Sequence, residues 1–454
     1  MNLIFKIIVW ICRIQIGGLF IFSGLIKAND ALGFSYKLEE YFEVFAKILS
    51  ENGMGLLAVP MEWMAHIALP LSIFIVVFEI VLGILTLLGI NMRRVALWLL
   101  VLIIFFTFLT FVSWYWDLVR SCGCFGDFIP LTPKTSFLKD LYLLVWIIPI
   151  VLARKKINSF LTPVGDKIVL FSSWITFFLF TFYAYNHLPY ADHRAYAIGN
   201  HLLEQMETKK GNPLILYKLQ HKTNGAIAEM ANYPDDYQNW KPYINPNDST
   251  QPYFREVDGE LNIKLINIKS TGQTNKVIAI PEALKDDWTL IKDTTMIFKP
   301  DEDPKITDLT AYSFQDDEDK IQIMLNDTNY RFVLVIRDLS FFGEFTMAND
   351  GWHFNKSSKG EKYYKKFQEL YPLNKNQTFY FSVLTSEYDV NKIDAFRQEM
   401  KTKVKFYNCD DKELKTMIRA SPGLFLWKKD LVLDKWHYYD FPTFEDIEKD
   451  FLNK

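Results

Sequence analysis

The chain reads as an α-helical membrane bundle followed by a soluble α/β part, and two observations predict this. Five stretches, near 3–26, 65–90, 95–115, 136–153 and 167–187, are apolar over the ~20 residues that a hydrocarbon core of ~30 Å requires. From about residue 306, short runs rich in aromatic and β-branched residues alternate with amphipathic runs at helical spacing, the pattern of strands interleaved with helices. Charge divides the 454 residues in the same place: 14 Lys+Arg stand against 11 Asp+Glu up to His187, and 36 against 42 after it. An acidic soluble half without a basic block has no footprint for phosphate backbones, so nucleic acid is not an expected partner.

Taken in order, the first apolar stretch is long for a signal peptide, carries Arg13 inside and ends without a small-residue cleavage site. It is read as an uncleaved anchor. Short loops rich in Lys and Arg stay in the cytoplasm. Arg93-Arg94 and Arg154-Lys155-Lys156 therefore put two loops inside, and alternation puts 28–64, the loop 116–135 and everything after His187 outside. In a bacterium that space is the periplasm, and the protein sits in the inner membrane with the lipid bilayer as its first partner. Segment 28–64 interleaves charges with apolar residues at helical spacing, which suits a helix lying flat at the interface or one that caps the bundle. Trp114, Tyr115 and Trp116 fit the aromatic belt of a membrane boundary.

The loop between the third and fourth stretches holds two of the four cysteines, Cys122 and Cys124, separated by Gly123. Sulfurs this close can close a small ring whose strain makes the disulfide easier to reduce, and the outside location is where disulfides persist. The bland alternative is a static disulfide that ties down a loop. Arg120 favours a thiolate and Asp127 opposes it. Charges inside a bilayer ask for partners. Arg13 lies about ten residues, at ~1.5 Å each, from the start of the first span, and Glu79 the same depth from the end of the second. The two are expected to pair, with Gln15 nearby, either as a structural ion pair or as the wall of a site for a quinone head group.

The run from Arg13 through Ser23-Gly24-Leu25-Ile26-Lys27 resembles the first-span signature of DoxX-like membrane proteins, and Cys122-Gly123-Cys124-Phe125-Gly126 resembles the methylamine-utilisation MauE branch of that group. The resemblance covers about residues 1–155. It implies a four-helix membrane module, to which the stretch 156–187 adds a fifth helix. It also implies maturation of a periplasmic disulfide-containing enzyme alongside a thioredoxin-like partner, in a layout like that of quinone-linked disulfide generators.

Within 306–454 the order is strands at 309–314 and 331–337, a helix at 360–371, a strand at 378–384, a helix at 391–401, a strand at 404–407 and a hairpin of 424–427 with 431–436. This order resembles a thioredoxin fold, in which Ser421-Pro422 falls where a cis-proline keeps a backbone edge open for an extended partner chain. The departure is that Asp338-Leu339-Ser340-Phe341-Phe342 follows the core strand where Cys-x-x-Cys is expected, so this domain cannot run dithiol exchange alone. Cys409, beside Asp410 and Asp411, reads as a structural cysteine. Residues 188–305 read as a β-rich linker domain, with 261–268 among its alternating runs. Segment 186–194 resembles the juxtamembrane part of multi-domain DoxX-like proteins from Bacteroidetes, and His187 and His193 lack companions for a metal site.

Two functions follow as expectations. In the first, Cys122 and Cys124 exchange with periplasmic client proteins, with Arg13 and Glu79 placed to shape a quinone site. In the second, the bundle is an anchor, and the cysteine-less domain docks envelope proteins through Ser421-Pro422 without chemistry of its own. Five spans without repeats or broken helices make a transporter the weakest option.

Overall fold

The computed structural model describes residues 2–116, 126, 128–129, 131–208, 303–376 and 379–452, together with strand backbones between 213 and 298. Two compact units result, Met1–Leu202 with Asp308–Lys454, and Leu203–Thr307.

The first unit opens with seven helices: α1 (Leu3–Asn29), α2 (Ala31–Glu51), α3 (Gly55–His66), α4 (Ala68–Leu88), α5 (Met92–Trp116), α6 (Pro133–Ala153) and α7 (Pro163–Asn186). Five of them, α1 and α4 to α7, are long and apolar enough to cross a membrane. The chain is a multi-pass membrane protein. Starts are chemically marked: the Thr132 and Thr162 hydroxyls accept from the backbone N–H three residues on, each followed by proline in the first helical position. Ile16, Phe20, Val77, Val81, Leu99, Ile103, Ile147 and Ile150 fill the space between α1, α4, α5 and α6. Outward-facing Ile14, Phe74, Val101, Val145 and Phe171 stay exposed, as lipid requires.

Segment 28–64 forms a helical hairpin. The side of α2 carrying Phe34, Leu38 and Phe42 packs against Ile75, Val76 and Ile80 of α4, and Tyr41 packs on Leu109 of α5. Its apolar residues therefore go into the bundle, while the exposed apolar residues Leu56, Leu57, Val59 and Trp63 belong to α3.

In the second unit, which α8 (Leu202–Met206) enters, strands β1 (Pro213–His221), β2 (Ile227–Asn232), β3 (Pro242–Asn245), β4 (Asp248–Phe254), β5 (Gln273–Asn275), β6 (Trp288–Leu290) and β7 (Thr295–Phe298) follow in order. They make a sheet ordered β2-β1-β7-β5, with β6 also on β1, and a β3–β4 hairpin. The alternating run 261–268 lies outside the described residues.

The rest of the first unit is a mixed-sheet domain. Its elements are β8 (Tyr312–Ser313), α9 (Ile321–Asn326), β9 (Tyr330–Ile336), β10 (Gly343–Ala348), β11 (Gly351–Lys356), α10 (Ser358–Gln368), β12 (Phe379–Thr385), α11 (Val390–Glu399), β13 (Lys405–Asn408), α12 (Asp411–Met417), β14 (Gly423–Lys428), β15 (Leu431–His437) and α13 (Phe444–Ile447). Sheet order is β15-β14-β9-β12-β13-β8. The three central strands β9, β12 and β13 are parallel, and β14 runs antiparallel to β9. Strand β9 is buried over its last five residues, as an inner parallel strand must be. Phe332, Phe342, Phe367, Phe379 and Phe396 form the core. Residues 199–202 run along β15, where Gly199 N donates to Val432 O at 2.8 Å and Leu202 N to Asp430 O at 2.8 Å. Nearby, Asp192 binds Arg194 and Lys435, and the fully buried Tyr196 donates to Glu413.

Candidate functional site

Helices α1 and α4 approach at glycines. A β-carbon on Gly83 would lie 2.8 Å from the Gly17 carbonyl oxygen, and one on Gly17 would lie 2.6 Å from Leu87 Cγ. This small-residue contact lets the backbones close and fixes their register. In that register Arg13 lies beside the last turn of α4. Its Nε donates to Thr86 O at 2.9 Å and its Nη2 to Leu87 O at 2.7 Å, with the rings of Trp10 and Phe160 about the guanidinium at 4.8 and 5.1 Å. The side chain adds charged donors to carbonyls of the helix end, where the intrahelical ladder stops.

The expected Arg13–Glu79 pair does not form; the partner of Glu79 is Lys27. The depth count took the start of α1 to lie level with the end of α4, whereas Arg13 already reaches the last turn of α4 and the glycine contact brings Lys27 alongside Glu79. Lys27 and Glu79 are 3% and 7% exposed, and the Lys27 ammonium faces the rings of Phe106 and Phe34 at 5.0 and 5.2 Å.

A second charged pair completes the site. Lys139 and Asp140 of α6 meet at 2.5 Å, and Thr110 of α5 donates to the buried Asp140 carboxylate at 3.0 Å. One turn along α5, Ser113 Oγ donates to Tyr41 OH at 2.9 Å. Lys27, Glu79, Lys139, Asp140 and Ser23 line one cavity of about 30 Å³, room for one water. Four ionisable groups from three spans thus meet around a water-sized space, an arrangement able to hold and pass protons.

Cys122 and Cys124, with Arg120 and Asp127, lie outside the described residues. Their neighbours Gly126 and Phe128 do not: a β-carbon on Gly126 would stand 3.7 Å from Ile26 Cγ2, and the Phe128 ring meets Phe22 of α1 at 6.1 Å and His193 at 4.7 Å. The chain leaving the cysteine loop therefore rests on the turn of α1 that ends in Lys27.

In the mixed-sheet domain the Ser421–Pro422 peptide is cis and leads into β14. Ser421 Oγ accepts from Arg337 N at 3.0 Å, and Pro422 is buried. Two residues earlier, Arg419 Nε donates to both Asp30 oxygens at 3.0 and 2.9 Å. Burial pushes the Asp30 carboxyl up, but the charges of Arg419 and Arg194 and the Gly33 N–H outweigh it and hold it below the usual carboxylate range. The Tyr36 ring lies near Lys415, Arg337 and Arg419 at 5.1, 5.3 and 5.7 Å. Asn29 adds two hydrogen bonds to the backbone of Ala191. The face bearing Ser421–Pro422 thus abuts the α1–α2 corner of the same chain.

No thiol follows β9, where the short helical turn Leu339–Phe342 stands instead. Cys409 is buried, and burial with the nearby Glu413 charge pushes its thiol up to about 11, so it stays protonated at neutral pH. His187 pairs with Asp440 at 2.8 Å, and among the described residues no His, Cys, Asp and Glu cluster suits a metal ion.

Residues 5–153 match the family model of methylamine utilisation protein MauE. The match ends with α6, so this chain carries a MauE-like membrane domain, with α7 and everything beyond it lying outside the match. No curated protein and no solved structure matches the chain.

Proposed function

We propose that this protein takes part in thiol–disulfide maturation of envelope proteins, with Cys122 and Cys124 exchanging at the periplasmic face of a bacterial inner membrane. The observation that carries the reading is the cavity of Lys27, Glu79, Lys139 and Asp140 inside the MauE-like domain, beside the α1 turn on which Gly126 and Phe128 rest. In the exchange, a client thiolate attacks one sulfur of the Cys122–Cys124 disulfide, and the second client thiolate then displaces that sulfur. The client gains a disulfide and the pair becomes a dithiol, with the two protons changing owner. In this reading the buried ion pairs of the cavity are the groups that take up and release protons.

The parallel β9, β12 and β13, the antiparallel β14–β15 hairpin and the cis peptide before β14 support a thioredoxin-like reading of the C-terminal domain. A second reading, an anchor whose domain docks envelope proteins without chemistry, is favoured by one observation: its described thiol, Cys409, is buried and protonated.

Trapping separates the two. Cells expressing Cys122→Ser or Cys124→Ser are quenched with acid and alkylated, and a mixed disulfide with a defined client is expected from one of them. Full function of both variants with no mixed disulfide would leave only the docking reading.

A further inference from the structure

Where α7 ends, lysines and tyrosines share one surface. Tyr183 in the last turn stacks on His187 with centroids 4.3 Å apart, and His187 Nδ1 is 2.8 Å from Asp440. Asp440 N closes a turn onto His437 O at 2.8 Å, which presents Tyr438 and Tyr439. The Tyr439 ring lies 5.9 Å from Tyr363 of α10, and Lys366 Nζ donates to Tyr439 O at 3.4 Å. A few direct contacts therefore lead from the end of a span to α10.

Helix α10 carries Lys359, Lys362 and Lys366 at spacings of three and four, hence on one face. Their ammonium groups sit at aromatic rings: Lys359 is 4.6 Å from Phe341 and 5.7 Å from Tyr438, while Lys362 and Lys366 are 5.6 and 5.7 Å from Tyr363. Nearby carboxylates are engaged elsewhere, Glu361 with Lys356 at 3.1 Å and Asp440 with His187. The face is cationic and aromatic. Helix α7 has 24 residues, about 36 Å at ~1.5 Å per residue, longer than a ~30 Å hydrocarbon core. Its tyrosine-bearing last turn belongs at headgroup depth.

We propose that the face formed by Lys359, Lys362, Lys366, Tyr438 and Tyr439, laid over the buried Tyr363 ring, binds the phosphate of anionic phospholipid headgroups in the leaflet from which α7 emerges. Ammonium groups recognise the phosphodiester, and the tyrosines occupy the interface. Each lysine near an anionic surface contributes about five-fold in binding, which makes the loss of all three about a hundredfold.

The test uses the full chain in phosphatidylcholine nanodiscs containing phosphatidylglycerol with a photoreactive headgroup. Adducts are expected on the peptides spanning 358–368 and 438–440, at least ten-fold fewer in the triple variant Lys359→Gln, Lys362→Gln, Lys366→Gln, and restored when the same three are changed to Arg. Equal labelling of wild type and the Gln variant overturns the proposal. So does equal labelling by photoreactive phosphatidylcholine, or complete competition by millimolar glycerol phosphate, which would make this a site for a soluble phosphate.

Discussion

Replacing Glu79 by Gln isolates the energetics of the membrane site. Lys27 is 3% exposed and has its carboxylate partner in Glu79. Removing one member of a buried ion pair costs about 3–5 kcal/mol because the other charge stays buried. Gln keeps a hydrogen-bond acceptor, which places Glu79→Gln at the lower edge, about 3 kcal/mol, or two decades in the unfolding equilibrium at about 1.4 kcal/mol each. Lys27→Met leaves an aliphatic chain against Phe34 and Phe106, so the double variant is expected within about 1 kcal/mol of wild type. The coupling energy is then at least about 2 kcal/mol. Two buried thiols provide the assay. In a Cys122→Ser, Cys124→Ser background, alkylation of Cys12 reports opening of the bundle and that of Cys409 reports opening of the soluble domain, each buried in the fold. Glu79→Gln should speed Cys12 labelling in detergent about a hundredfold and leave Cys409 unchanged. Additive effects of Lys27→Met and Glu79→Gln, within 0.5 kcal/mol, would refute the pairing.

Three further outcomes follow. Arg13→Gln removes two charge-assisted bonds to the end of α4, worth about 3–6 kcal/mol together, and its effect should add to that of Glu79→Gln in the same labelling assay. Gly83→Ala drives a methyl against the Gly17 carbonyl at 2.8 Å and should cost about 1–3 kcal/mol, read as lower thermal stability of the bundle. His437 is buried, and burial followed by the His187 charge pulls its pKa from 6.5 to about 4, while its Nδ1 accepts from Tyr439 N. A depressed histidine stabilises the fold above its unfolded value and loses that contribution as pH falls. The mixed-sheet domain should therefore weaken by about 3 kcal/mol between pH 6.5 and 4, followed by tryptophan fluorescence during urea unfolding at each pH, and His437→Gln should flatten that slope.

The spans were legible because lipid imposes a length and an apolarity that no other context demands, and all five fall where hydropathy placed them. The strands of the mixed sheet were legible from runs such as Phe332–Ile336, too apolar for a surface. The β10–β11 hairpin was missed although Asn349-Asp350 lies between its two strands and Gly351, at φ +124°, opens the second, a turn signal. The partner of Glu79 was not legible, since register between two helices is set by where glycines let them touch. Lys139 and Asp140 were not singled out although they fall within the fourth apolar stretch; α6 starts at Pro133 and carries them inward, where each charge in lipid asks for a partner.

The proposed exchange is tested most directly by mixing one equivalent of the oxidised full chain in nanodiscs with a reduced dithiol peptide and measuring, by mass, the peptide's loss of two hydrogens. Wild type should form about one peptide disulfide per chain, Cys12→Ser and Cys409→Ser should match it, and Cys122→Ser or Cys124→Ser should form none. Peptide oxidation that persists without Cys122 or Cys124, or its absence from wild type whose Cys122–Cys124 disulfide is verified by mass, would contradict the account.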